Sequence, residues 1–476
     1  MKINFSPNIF RAYDIRGIYP KEINETTAYF LGRAFVRFLR QKNRKKPKII
    51  VGQDNRFSSK KLWHGLIQGI LEEGGEVVDI GLSTSPMFYW ASGYYQFMGG
   101  VYITASHNPP QYNGFKLVIQ GTQPLSSEFG LPEIKKLFLD LQKEAKLNFK
   151  KKVHLTRKKV LNQYLNFVLE HSNFSPKTKF FQKPILKIVI DTANAVSGTL
   201  IKPLFKKINQ ISPIKFQIYH LFPQLNGLFP NHLPDPLKEE NLKTLCSTVK
   251  TKKAHLGVAF DGDGDRIVLI DEKGRKISGD LLTALIAQII LREKKNKKIL
   301  YDIRSSNSVK EAIKEAGGQP VVWKIGHSLI KAKMRKDKII FGGEFSGHYY
   351  HQDYYFAECP LFVLVKILES LVDSYPKPFS EIIQPLQRYC HSGEINFPIK
   401  EINTSIVKEK LFKKLIQKYA SGKVYQLDGL RIDFPQWWFL VRPSNTEPLI
   451  RLIVEAKKPD LMRKKVQELK SIIKKF

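Results

Sequence analysis

Short apolar runs rich in Val and Ile alternate with stretches whose apolar residues recur every three or four positions, and this grammar runs through almost the whole chain. The pattern predicts strands over 48–52, 76–80 and 100–104, with a helix over 60–73 behind the cap signal Ser58-Ser59. The same alternation restarts with strands predicted over 187–191, 256–260, 267–270, 298–302, 338–341 and 449–454. A closing helix is predicted over 459–476, where Pro459 suits a first turn whose N–H needs no partner. Strands separated by helices of this length imply α/β layers with much parallel pairing. A lysine-rich stretch around Lys150-Lys151-Lys152 and the turn-rich Ser374-Tyr375-Pro376-Lys377-Pro378 mark breaks between units.

Composition narrows the class. With 476 residues, 42% hydrophobic and 25% charged, the chain is globular and long enough for about three or four domains. Its three cysteines, Cys246, Cys359 and Cys390, form no CxxC pair, which argues against a disulfide scaffold or a thiolate zinc site and for a reducing compartment. The first residues lack the apolar core of a secretory signal, and no apolar run approaches the ~20 residues of a membrane span. A cytoplasmic protein is therefore expected, with no membrane partner.

Lys and Arg number 78 against 43 Asp and Glu, a formal charge of +35. Such an excess suits nucleic acid, an anionic membrane surface or a phosphorylated substrate, against the plainer reading of a Lys-rich compositional habit spread over solvated faces. The basic runs fall in loops and helix ends, however, and no zinc finger, RNP motif or basic helix gives them a nucleic-acid target. A basic nucleic-acid-binding protein is thus the alternative, and no nucleic-acid partner is expected.

Four loops carry candidate chemistry. Thr104-Ala105-Ser106-His107-Asn108-Pro109-Pro110 follows a strand and offers Ser106 as nucleophile or phosphate carrier, with His107 and Lys116 as proton-transfer candidates. Asp261-Gly262-Asp263-Gly264-Asp265-Arg266 places carboxylates at alternate positions, so that flexible glycines can turn all three onto one hard cation such as Mg²⁺. An EF-hand fails here because Arg266 stands where its sixth residue must be Gly. Gly342-Gly343-Glu344-Phe345-Ser346-Gly347-His348 could present Glu344 and Ser346 to sugar hydroxyls. Arg442-Pro443-Ser444-Asn445-Thr446-Glu447-Pro448, with Arg451 beyond, offers a guanidinium fork and neutral donors to phosphate.

In this order the four loops resemble the α-D-phosphohexomutase family, over nearly the whole chain. Phe10-Arg11-Ala12-Tyr13-Asp14-Ile15-Arg16-Gly17 and Gly326-His327-Ser328-Leu329-Ile330-Lys331 match two further family motifs. Glu344 to His348, followed by Asp428-Gly429-Leu430-Arg431, is most similar to the bacterial phosphomannomutase/phosphoglucomutase branch. The resemblance implies three related mixed α/β domains and a smaller C-terminal α+β domain around a central, positively charged cleft: 1–151 (phosphoserine), 152–276 (metal), 277–384 (sugar) and 385–476 (phosphate). It implies reversible interconversion of hexose 1-phosphate and 6-phosphate, on mannose and also glucose, through an enzyme phosphoserine and a bound 1,6-bisphosphate that also serves as activator. Ser106 would carry the phosphoryl group, and would complete with Asp261, Asp263 and Asp265 the surroundings of Mg²⁺. His107, Lys116 and Arg16 would assist transfer. Tyr13, His327, Glu344, Ser346, His348, Arg442, Ser444, Asn445, Thr446 and Arg451 would bind the phosphosugar, in a monomer or weak dimer. Phosphoglucosamine mutase is the neighbouring alternative. Gln53, Asn226, Arg304, Asn307 and Glu358 depart from the usual pattern without removing a transfer or metal residue.

Overall fold

Buried strands must pair because only neighbouring backbone can satisfy the N–H and C=O groups they take out of water. In the computed structural model, which describes residues 7–43, 45–144, 155–174, 183–398, 404–443 and 449–476, the apolar runs do this in several sheets. The chain forms two compact units, one of Met1–Gly279, Gly326–Gly342 and Ser346–Ile382, the other of Asp280–Ile325, Gly343–Phe345 and Ile383–Phe476.

The first unit opens with β1 (Ile15–Ile18), α1 (Glu25–Lys42), β2 (Lys48–Gln53), α2 (Ser59–Glu72), β3 (Glu76–Leu82), α3 (Ser85–Tyr94), β4 (Gly99–Ile103) and β5 (Tyr112–Ile119). The sheet runs β1-β5-β4-β2-β3 and ends on Thr156–Arg157. β4, β2 and β3 are parallel, while β5 turns back antiparallel on β4. α1 is started by Asn24, whose side chain accepts the Thr27 N–H at 3.0 Å while Thr27 Oγ1 accepts the Asn24 N–H at 3.3 Å. Its apolar face meets α2, and Phe30, Phe35, Leu66 and Ile67 fill the core between helices and sheet.

A second sheet in this unit orders Lys276–Ile277, Ile267–Asp271, Leu256–Phe260, Ile185–Asp191 and Lys215–Leu221. Leu256–Phe260 is buried at every position and lies parallel to Ile185–Asp191, so its C-terminal end delivers the Asp261 loop.

In the second unit Lys298–Asp302 pairs parallel with Gln319–Trp323. An antiparallel sheet orders Cys390–His391, Leu449–Ala456, Trp437–Pro443, Leu430–Asp433 and Lys423–Tyr425, with Ile395–Pro398 also on Leu449–Ala456. Helices Thr404–Lys418 and Pro459–Ile473 cover it, and Phe439, Leu452, Val454 and Leu469 are buried there. Among the described residues no helix is long and apolar enough to cross a membrane.

Two local readings differ. The strand expected over 338–341 begins only at Phe341, because helix His327–Asp337 is stopped by Lys338 in the left-handed region (φ 54°) and the chain needs two more residues to straighten. The Ser58 side chain does not cap α2; its Oγ accepts from Asn113 Nδ2 at 2.8 Å inside the fold.

Candidate active site

Ser106 stands at the turn after β4, 3% exposed, with φ of 50°, a strained conformation for a residue with a Cβ. What holds it there is Arg56, itself 3% exposed. One Nη donates to the carbonyls of Ser106 (2.7 Å) and Asn108 (2.6 Å), the other to those of Pro109 (2.8 Å) and Tyr112 (3.0 Å). Asp54 lies 3.2 Å from the Arg56 Nε and accepts from the Ser59 and Thr104 hydroxyls, and Thr104 Oγ1 in turn accepts the Ser106 N–H at 2.8 Å. A buried guanidinium fork thus gathers four carbonyls of this turn onto one side chain.

The Asp261 loop comes in against this turn. Ser106 Oγ donates to Asp261 Oδ2 at 2.9 Å and lies 3.1 Å from His107 Nδ1. The approach depends on glycine: a Cβ on Gly262 would sit 2.2 Å from the Ser106 carbonyl oxygen. Asp261, Asp263 and Asp265 are all buried, and each offers an oxygen within 4.8 Å of the others. β5 supplies Lys116, whose Nζ donates to Asp263 Oδ2 (2.6 Å) and Asp265 Oδ2 (2.7 Å). Burial alone would lower the Lys116 pKa, but the two carboxylates outweigh it and raise it well above the ordinary value, so Lys116 is protonated in this arrangement. Ser85, at the start of α3, donates to Asp263 Oδ2 at 2.5 Å.

Three carboxylates with one lysine leave negative charge in excess, and Asp263 Oδ1 is buried with no hydrogen-bond partner among the described residues. That atom and an all-oxygen donor set fit a hard divalent cation, so the triad could hold a metal. The His107 pKa is lowered well below its ordinary value, first by burial, then by Arg266 and Arg16. Arg16, on β1, donates to Asn108 Oδ1 at 2.6 Å and pairs with Asp14.

His348 joins this unit's cluster: its Nε2 lies 3.2 Å from Asp265 Oδ1 and its Nδ1 3.1 Å from Ser346 Oγ. His327 opens its helix with its ring against Tyr13, centroids 5.6 Å apart. Its Nδ1 is 3.9 Å from Glu358 Oε1, and Glu358 Oε2 is 2.6 Å from the fully buried Lys331 Nζ. The departure at Glu358 therefore supplies an internal counter-ion.

In the second unit Glu344 is buried, with Oε2 3.7 Å from Arg304 Nη2. Arg304 grips Asp302 with Nη2 at 2.7 Å and Nε at 3.2 Å, and Asp302 also accepts the Phe345 N–H at 2.8 Å. Asn307 accepts from Arg431 Nη2 at 3.0 Å. Arg442 and Arg451 face each other across two strands, and both reach Glu394. Ser444, Asn445 and Thr446 lie outside the described residues. Ser106, His107, Arg16, Lys116, Ser346, His348 and the three aspartates are thus brought into one connected network. Arg56, Ser85, Lys331 and Glu394 were not foreseen; the run Asp54-Asn55-Arg56 was the one available signal, since an Asp and Arg two apart at a strand end can fold onto each other.

A strand-end serine beside a buried carboxylate triad and a lysine, on parallel α/β sheets, defines a phosphoryl-transfer type of site. The family comparison agrees. Models described as phosphoglucomutase/phosphomannomutase alpha/beta/alpha domains I, II and III match residues 7–145, 162–274 and 278–389, and the C-terminal domain model matches 394–471. The chain is 37% identical over 472 residues to a phosphomannomutase of Methanocaldococcus jannaschii, covering 98% of both. It is 34% identical over 451 residues to a phosphomannomutase/phosphoglucomutase of Pseudomonas syringae pv. tomato, covering 94% of this chain and 91% of that one. A crystal structure of a phosphoglucomutase/phosphomannomutase family protein from Burkholderia thailandensis superimposes with a TM-score of 0.85 at 29% identity, covering 99% and 98% of the two chains. The chain belongs to the phosphoglucomutase/phosphomannomutase family of α-D-phosphohexomutases, and has its four-domain α/β architecture.

Proposed function

We propose that the protein interconverts hexose 1-phosphate and hexose 6-phosphate, acting on mannose and also glucose phosphates, with Ser106 as phosphoryl carrier. The observation that carries this is Ser106 Oγ at 2.9 Å from Asp261, beside the Asp263–Lys116–Asp265 bridge. In the cycle, phosphorylated Ser106 gives its phosphoryl group to the free sugar hydroxyl: the P–O bond to Ser106 breaks as the sugar P–O bond forms, and the proton lost by that hydroxyl ends on Ser106 Oγ. The resulting 1,6-bisphosphate turns over, and its other phosphate returns to Ser106.

Asp261, Asp263 and Asp265 would hold Mg²⁺, which would withdraw charge from the oxygens of the transferring group. The Arg56 fork keeps the Ser106 turn in place throughout. The Lys116 ammonium offsets negative charge at the same point, and neutral His107 is placed to take the Ser106 proton when the phosphoryl group returns. Glu344 and Ser346 would grip sugar hydroxyls, with Tyr13, His327 and His348 beside them. Arg442, Ser444, Asn445, Thr446 and Arg451 would bind the phosphate not being transferred. A hexose 1,6-bisphosphate would prime the unphosphorylated enzyme. Domain limits at 151, 276 and 384, a monomeric or weakly dimeric state and a cytoplasmic setting complete the reading.

A coupled assay with mannose 1-phosphate, Mg²⁺ and a hexose 1,6-bisphosphate should show turnover. Ser106→Ala should lower kcat at least ~10³-fold and remove a phosphoryl increment from the intact mass. Normal turnover by that variant would sink the carrier assignment.

A further inference from the structure

Strands Trp437–Pro443 and Leu449–Ala456 are antiparallel, and their register sets Arg442 directly opposite Arg451. Like charges opposed across a ladder repel, so this pair needs an anion between its members. The protein provides one. Glu394, in the turn before strand Ile395–Pro398, places Oε1 3.0 Å from Arg442 Nη2 and Oε2 3.6 Å from Arg451 Nη1. Burial pushes the Glu394 carboxyl up, but Arg304, Arg442 and Arg451 outweigh it and hold it below the ordinary carboxylate range. The group is therefore a carboxylate at neutral pH. It bridges two guanidiniums as a phosphate would, with one negative charge where a phosphate brings about two. Arg442 is 5% exposed, and its Nε is buried with no hydrogen bond among the described residues, so the fork keeps an unused donor.

We propose that Glu394 is a positioning residue of the phosphate clamp: it holds Arg442 and Arg451 together when no ligand is bound, and it subtracts one charge from the clamp so that a bound phosphate can leave. This rests on the reading of Arg442 and Arg451 as the clamp for the phosphate not being transferred. The reaction gives the attenuation a purpose. A bisphosphate must release one phosphate from the clamp and present the other, once per cycle. Two arginines with Arg304 close by, and no internal anion, would hold a dianion too long. Glu394 competes from within and takes the arginines back as the phosphate departs.

The test uses the full-length protein carrying Ser106→Ala, so that glucose 1-phosphate binds without transfer, and compares Glu394→Gln and Glu394→Asp by titration calorimetry. Removing a full charge a few ångströms from a dianion should tighten glucose 1-phosphate binding about tenfold and steepen its loss with salt. Glu394→Asp keeps the charge but draws it back, and should fall between Gln and the parent. With Ser106 intact, Glu394→Gln should lower KM and kcat together, as slow release predicts. A merely structural role would weaken binding in both variants. Affinity unchanged or weakened by Gln overturns the proposal, and if Gln does not fold, the same result with Asp does so. Arg442→Gln separates the two readings: if it leaves glucose 1-phosphate binding intact, the clamp assignment itself fails, whatever Glu394 does.

Discussion

At Ser106 the backbone is strained, and the strain is held by neighbours that do no chemistry. The residue is held in the left-handed region with Arg56 gripping its own carbonyl and that of Asn108. Gly262 brings the aspartate loop to within touching distance of the same turn. An added methyl would have to occupy space 2.2 Å from the Ser106 carbonyl oxygen, and backbone cannot swing aside as a flexible side chain can. Gly262→Ala should therefore push the triad away from Ser106 by about 1 Å, and a displacement of that size costs roughly 10²-fold in rate. Steady-state kcat should fall by that factor while Mg²⁺ binding, measured by calorimetry, changes far less, because all three carboxylates remain on their own loop. An active Gly262→Ala enzyme would mean the loop approach has no catalytic role. Lys116 also changes meaning at this scale. The sequence offers it as a proton-transfer group; two carboxylates at 2.6 and 2.7 Å keep it charged, so in this arrangement it is their counter-ion and any proton it transfers is one it gives.

Between elements, the close contact of α1 and α2 is made by glycines. A Cβ on Gly69 would fall 1.9 Å from the Tyr29 carbonyl oxygen, one on Gly65 2.1 Å from that of Glu25, and one on Gly32 2.5 Å from that of Leu66. In an isolated helix Gly→Ala adds about 1 kcal/mol of stability. Here overpacking opposes it, at about 1–3 kcal/mol or more where backbone meets backbone. Gly69→Ala should thus be net destabilising by about 1–2 kcal/mol in denaturant titration, and a stabilised variant would show that the helices separate freely. The sequence showed that α2 exists, but nothing in it revealed that its glycines face α1. The same divide runs through the site. Ser106 and the Asp261 loop were legible because strand-end motifs keep reactive residues close in sequence. Glu394, Arg56 and Ser85 were not, because their partners lie 48, 50 and 178 residues away and a buried charge looks like a surface one until its partner is placed. The strand expected over 338–341 failed for a local reason: Ile339 and Ile340 are buried in a turn after the helix, and burial alone does not make a strand.

For the whole molecule, the division into two compact units predicts how it melts. Domain-sized units with separate cores often lose structure in separate steps. The aspartate triad lies in the unit built on Met1–Gly279, so Mg²⁺ should act on that unit's transition. At a hundred times its dissociation constant, a ligand that binds only the native state adds about 2.7 kcal/mol. The other unit carries its own label. Burial pushes the Glu468 carboxyl up, but Lys465, Lys418 and the Tyr419 hydroxyl outweigh this and hold it at about 2. A depressed carboxyl stabilises above its unfolded value, near 4.3, and loses that contribution as the pH falls toward about 2. Because the Glu468 side chain stays partly exposed, at 28%, solvent screens its ion pairs and the effect is at most about 1 kcal/mol. Differential scanning calorimetry should then show two components. Mg²⁺ should raise one and leave the other in place, an effect removed by Asp263→Asn. Glu468→Gln should lower only the second at pH 6 and differ little from the parent near pH 2.5. A single transition that Mg²⁺ and Glu468→Gln both move as a whole would show instead that the units unfold as one, and that metal binding in one unit stabilises the antiparallel sheet of the other.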